Sequence, residues 1–174
     1  MKNMEIIHLT WNEHEWNEDE ILNNFNSNED YGIYQIYGDH PVYGDNTLLY
    51  IGKAQDQRYS TRLKQHLDGD FLYTHISTFR KIHLSYICVT EDVDKNKWKN
   101  YIGLVEKLLI NAHFPAYNSQ DIKNIIKKNE FKNNVLVLNW DYRGKLLPEV
   151  SSLRYSDYYW NKRNLNTEKI FKDE

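Results

Sequence analysis

From Tyr31 to Ile51 the chain sets apolar runs against turn residues, the pattern of paired strands. Tyr31–Tyr37 predicts one strand. Gly38-Asp39-His40-Pro41 and Gly44-Asp45-Asn46 are dense in turn formers around a small hairpin or loop. Thr47–Ile51 is apolar at nearly every position, which predicts a central second strand buried on both faces, ended by Gly52. Tyr59–Leu67 then takes helical spacing, with Ser60 or a neighbour as its cap and Leu63 and Leu67 as its apolar stripe. Ile82–Thr90 predicts a third strand. Trp98–Ala112 predicts the clearest helix, because Tyr101, Ile102, Val105, Leu108, Leu109 and Ala112 recur on one face. Phe71–Phe79 is ambiguous.

Two flanking regions have their own patterns. Residues 5–9 alternate weakly, as a short strand does, and Trp11, Trp16, Ile21, Leu22 and Phe25 stand among acids. That reads as an amphipathic arm, helical near 18–25, docking on the body or on a second subunit. On the C-terminal side, Ile122–Lys128 predicts a short basic helix. Val135–Trp140, Asp141–Gly144 and Lys145–Val150 predict a β-hairpin. Beyond Ser151 the chain is aromatic and basic, with Arg154, Tyr155, Tyr158, Tyr159, Trp160, Lys162 and Arg163. The pattern divides the chain into an acidic N-terminal arm (1–30), a main domain (31–120) and a C-terminal extension (121–174). The fold class is α/β (α+β): a small three-stranded antiparallel sheet flanked by helices, with the arm and the hairpin as additions.

Composition narrows this picture. A chain of 174 residues, 40% hydrophobic and 14% aromatic, can bury a core without disulfides. Its single cysteine, Cys88, lies in an apolar run and reads as a buried structural thiol in a reducing compartment. No apolar run approaches the ~20 residues of a membrane span, and the N-terminus lacks the shape of a signal peptide. The expectation is a soluble intracellular, cytoplasmic protein. The formal net charge of −3 is unevenly spread. Eight acids against Lys2 leave residues 1–30 at −7, so the rest of the chain carries +4. A mildly basic body behind an acidic arm is compatible with a polyanion partner without demanding one.

The candidate chemistry gathers between Gly32 and His66, with one remote addition. Tyr34 and Tyr50 place hydroxyls near strand ends, and Lys53 follows the second strand. Arg62 is a planar cation suited to phosphate, and His66, four residues on, shares its helix face. Glu106 is a hard oxygen ligand of the kind Mg²⁺ takes singly or in pairs, together with waters. Taken singly, each residue is ordinary packing or surface. Together they suit an α/β domain that handles phosphate.

Gly32-Ile33-Tyr34 and Tyr50-Ile51-Gly52 resemble the two tripeptides that name the GIY-YIG nuclease family. The resemblance continues in order through Arg62, His66, Glu106 and Asn118, and covers about residues 31–120. It departs from the family in the longer insert Gln35–Leu49, which a lengthened hairpin would absorb. Arg58 precedes Arg62 in the same region, and Arg-x-x-x-His favours Arg62. His75 follows His66 but lies in the ambiguous stretch.

The resemblance implies one-metal hydrolysis of a DNA phosphodiester. Tyr34 would serve as general base, assisted by Lys53 or His66, and Tyr50 would orient the nucleophile or phosphate. Arg62 would contact the scissile phosphate. Glu106 would hold one Mg²⁺ or Mn²⁺, and Asn118 would make a structural bond near the metal helix. The base remains open among Tyr34, Tyr50, Lys53 and His66. Products would carry 5′-phosphate and 3′-hydroxyl ends. The compact, embellished chain resembles the restriction endonucleases of the family, which act on double-stranded DNA and can form homodimers. A structure-specific repair, recombination or mobile-element nuclease is the alternative within the class. A non-catalytic DNA-binding module is the alternative outside it.

Overall fold

The computed structural model describes residues 4–27, 31–69, 78–88, 95–118 and 134–155. The predicted hairpin forms, with strands longer than the pattern indicated. β2 (Gly32–His40) and β3 (Gly44–Ala54) pair antiparallel down to His40 opposite Gly44. The turn-rich insert is therefore mostly strand, closed by the exposed tip Pro41-Val42-Tyr43. His40 holds that tip: its Nδ1 accepts from Val42 N and Tyr43 N, each at 3.1 Å.

β3 corrects one expectation. It is an edge strand rather than a central one. Its sequence is apolar because helices cover both faces and a loop closes its open side. Ala116 N donates to Leu48 O at 3.2 Å and Tyr117 N to Leu49 O at 2.8 Å. The Asn118 amide spans Ile51, its Oδ1 accepting from Ile51 N (2.9 Å) and its Nδ2 donating to Ile51 O (2.8 Å). Backbone groups that an edge strand leaves exposed are thus occupied.

The sheet itself is the larger correction. Among the described residues it has six strands, not three, in the order β3-β2-β4-β1-β5-β6. β4 (Thr78–Cys88) pairs antiparallel with β2 on one side and β1 on the other. β1 (Met4–Glu15) includes Trp11, which the sequence pattern placed in an arm, and lies parallel to β5 (Asn134–Asp141). The reason is visible in β1 itself. Ile7, Leu9 and Trp11 alternate inward over a full strand length, and the indole of Trp11 donates to Asn139 Oδ1 at 3.0 Å. A buried Trp needs a partner for its N–H, and β5 supplies it. β6 is short, Glu149–Ser151, so the C-terminal hairpin closes through a longer loop than predicted. A 3₁₀ turn follows at Ser152–Tyr155.

Three helices cover the sheet among the described residues. α1 (Glu18–Asn24) starts at Asn17, whose Oδ1 accepts from Glu20 N at 3.2 Å, with three acids in the first turn. α2 (Tyr59–Gly69) packs with α1 against one face, around Tyr34, Ile36, Leu49, Tyr59 and Leu63. Ser60 lies inside the first turn of α2 and donates its hydroxyl to Asn26 Oδ1, tying the two helices together. α3 (Lys95–His113) covers the opposite face with Ile102, Val105, Leu108 and Leu109, against Ile33, Tyr37, Ile51 and the inward residues of β1 and β5. No helix among the described residues is long and apolar enough to cross a membrane. His75, the basic stretch Ile122–Lys128 with Lys132, and the tail from Tyr158 onward lie outside the described residues.

Candidate active site

The site forms where Tyr34 meets Gly52 across the β2–β3 ladder. Gly52 has no side chain, and the Tyr34 ring lies over it. A Cβ there would collide with the Tyr34 hydroxyl and with Cζ, and would meet Tyr50 Cε1 at 2.6 Å. The first glycine is equally constrained. Gly32 has φ +150°, and a Cβ would stand 2.5 Å from the Tyr59 hydroxyl, which donates to Ser85 O at 2.7 Å. Both glycines are thus places where an aromatic ring from another element occupies the space of a side chain.

Tyr34 is fully buried, and its hydroxyl is hydrogen-bonded to Nε2 of His66, which is also buried. Burial and the neighbouring Tyr50 push the phenol well above its ordinary pKa. The Arg62 guanidinium, in hydrogen-bonding reach, pulls the other way, and Glu106 adds to the rise. The phenol is therefore protonated at neutral pH, and a neutral His66 that carries its ring proton on Nδ1 accepts from it. Tyr50 completes an aromatic cluster, its ring centroid 6.1 Å from that of Tyr34 and 5.3 Å from that of His66. Arg62 also donates to Gln65 Oε1 at 3.0 Å. Arg58, the competing arginine, is exposed at the start of α2.

Lys53 does not join the tyrosines. It faces the α3 side of the sheet and pairs with Glu106, Nζ to Oε2 at 2.8 Å. The glutamate side chain is only 15% exposed, so this contact holds more than an exposed pair would. Asn118 sits behind the cluster as the clamp on Ile51, which positions Tyr50 and Gly52 on either side of it. Tyr34, Tyr50, Arg62 and His66 thus gather on the α2 side of the β2–β3 edge, the Lys53–Glu106 pair lies on the α3 side of the same edge, and Asn118 braces that edge.

A family comparison adds a second, independent line. The GIY-YIG catalytic domain matches residues 30–120, more than half of the chain. The chain belongs to the GIY-YIG family. No curated protein and no solved structure matches it. GIY-YIG is a nuclease family, and the matched span begins just before β2 and ends just past Asn118. β1, β5 and β6 fall outside it yet belong to the same sheet. Sequence reasoning missed two supports of the GIY-YIG site. One is Tyr59, whose hydroxyl donates to the β4 backbone and fills the space beside Gly32. The other is Ser85, whose Oγ accepts from Ile33 N at 2.9 Å. Neither has a local signal, because each acts on a strand distant in sequence.

The donor set also bears on a metal. No group of three His, Cys, Asp or Glu side chains stands together among the described residues. A single, partly shielded carboxylate, paired with Lys53 and within electrostatic reach of Tyr34, fits a hard cation that takes one protein oxygen and completes its shell with water and phosphate oxygens. It does not fit zinc or another ion that needs a closed cage of side chains.

Proposed function

We propose that this GIY-YIG protein is a DNA endonuclease that hydrolyses phosphodiesters to 5′-phosphate and 3′-hydroxyl ends, with one Mg²⁺ or Mn²⁺ held by Glu106. The observation that carries the reading is the Tyr34–His66 hydrogen bond, formed between two buried side chains with Arg62 in hydrogen-bonding reach of the phenol and Glu106 in electrostatic reach. A phenol held protonated cannot act as base unaided. As Tyr34 takes the proton of the attacking water, it passes its own to His66 Nε2. Arg62 binds the scissile phosphate as a planar cation. Tyr50 orients the phosphate or the water. Glu106 would hold the cation, and Lys53, paired with Glu106 here, would then be available to the substrate. Bound at Glu106, the cation would offset charge on the phosphoryl and leaving 3′ oxygens.

Within this class, a sequence-specific restriction endonuclease is the favoured form. β1, β5 and β6 extend the catalytic sheet itself, so the parts available to read DNA form one body with the site. Two copies would cut both strands of double-stranded DNA in the cytoplasm.

The test is supercoiled plasmid with Mg²⁺ or Mn²⁺. Discrete fragments that require phosphatase before end-labelling support the reading. Cleavage of branched DNA alone moves it to a structure-specific nuclease, and binding without cleavage of any form moves it to a non-catalytic module. Glu106→Ala should abolish metal-dependent cleavage and keep DNA binding. Arg62→Ala and His66→Ala should each lower kcat by about 10²–10⁴ with little change in binding. Wild-type cleavage by Glu106→Ala would sink the metal assignment.

A further inference from the structure

A second concave surface lies on the same sheet edge. The hairpin tip, the start of β3, the C-terminal end of α3 and the loop before β6 enclose a cleft of about 300 Å³, lined by Tyr43, Leu48, His113, Phe114, Ala116 and Lys145. Its size matches the smaller ligand sites of proteins. Its floor is fixed. His113 Nδ1 donates to Leu109 O and its Nε2 accepts from Leu147 N, both at 2.8 Å, so helix and loop are held together through one neutral ring. Its walls are not buried. Tyr43 is 69% and Phe114 62% exposed, and Lys145 brings a cation to the rim.

Phe114 is the unusual member. It occupies the position after α3 where the chain leaves the helix, with φ +49°. Glycine suits that position, and a bulky side chain there is strained. Strain kept at an exposed aromatic points to use, because the ring contributes little core packing in return.

The cleft also stands in line with the candidate active site. From Leu48 to Gly52 along β3 is about 13 Å at the rise of a strand. From His113 back to Glu106 along α3 is about 10 Å at the rise of a helix. Nucleotides of a duplex strand repeat every ~3.4 Å, so the cleft lies about three to four nucleotides from the scissile phosphate.

We propose that this cleft is a nucleobase subsite: one base, turned out of the DNA strand, stacks against Phe114 and the face of Tyr43 that its stacking on His40 leaves open, and Lys145 meets the adjoining phosphate. This rests on the nuclease reading and extends it. Stacking on aromatic faces tolerates any base, so the subsite anchors the strand and registers it against the site rather than reading sequence.

The test separates stacking from structure by opposite signs. In a Glu106→Ala background, binding of a short mixed-sequence duplex and of oligothymidylate is followed by anisotropy across a salt series. Phe114→Gly should melt at the same temperature as its parent or higher, since glycine relieves the backbone, yet bind about tenfold more weakly with an unchanged salt slope. Lys145→Gln should lower the slope by about one phosphate contact. Tyr43→Ala, at the exposed tip, gives the same readout should Phe114→Gly fail to fold. If wild type cuts DNA and both aromatic variants bind as the parent does, the subsite falls and the nuclease stands. If wild type neither binds nor cuts, both fall. Weaker self-association in sedimentation, with DNA affinity intact, would assign the cleft to a second copy and overturn the proposal.

Discussion

Asn118 offers the sharpest separation of a brace from a catalyst. Its amide saturates both backbone groups of Ile51, a residue with no exposed surface. In Asn118→Ala, a buried N–H and a buried C=O lose their partners together. Each costs about 1–3 kcal/mol, and partial access of water lowers the sum to about 2–4 kcal/mol. For a chain of this length, 1 kcal/mol moves Tm by about 2–4 °C, so the variant should melt about 5–15 °C lower. Asn118→Asp makes the assignment specific. A carboxylate can still accept from Ile51 N but cannot donate to Ile51 O, and it sets one oxygen against another. The aspartate variant would therefore be no more stable than the alanine variant at neutral pH, whereas a metal ligand or proton acceptor would be rescued by aspartate. Both variants should also lose cleavage rate, since Ile51 lies between Tyr50 and Gly52. Thermal melts followed by circular dichroism at neutral pH decide it. A Tm for Asn118→Ala within about 2 °C of wild type would refute the reasoning.

Two other outcomes follow from the same geometry. Gly52→Ala should displace the Tyr34 ring and reduce kcat far more than DNA affinity; unaltered cleavage would show that the ring need not lie over the glycine. On the acid side, burial is the first cause lowering the pKa of His14, His83 and His113. Their unfolded counterparts take up protons near pH 6.5 that the folded chain refuses. Stability is therefore full above that pH and falls below it, until the folded histidines are themselves protonated. Urea midpoints should drop between about pH 7.5 and 5.5, and a midpoint that holds or rises over that range would contradict the burial argument.

Much of the site is local and was therefore legible. Gly-Ile-Tyr and Tyr-Ile-Gly each lie on one strand, so spacing alone orders their side chains. Arg62 and His66 share a helix face through a four-residue step. Glu106 stands out as an acid within the apolar stripe of the Trp98–Ala112 helix. The hairpin insert was legible as turn chemistry, though not as the strand extension it becomes, because pairing with β4 draws Gly38 and Asp39 into the ladder.

Partnership was not legible, because it is set by packing between distant segments. Nothing near Lys53 indicates whether it serves the tyrosines or Glu106. Its position on the α3 face of β3, opposite Ile33, decides that. The register of Tyr34 against Gly52 decides that His66, not Lys53, receives the phenol's hydrogen bond. The apolar run Thr47–Ile51 announces burial on both faces but not an edge, since among the described residues it is the loop through Asn118 that covers the open side.

The sequence by itself determined the family, the two motif strands, the helices that carry Arg62 and Glu106, and the acidic asymmetry of the chain. These depend on local periodicity and on residue types at fixed spacing. Tertiary structure alone decided that β1 enters the sheet between β4 and β5. It also decided that β5 runs parallel to β1, that the Tyr34–His66 cluster and the Lys53–Glu106 pair lie on opposite faces of one sheet edge, and that an aromatic cleft lies along the same edge. Strand pairing joins segments more than a hundred residues apart, and its energy comes from burial shared between them, which no stretch of sequence contains.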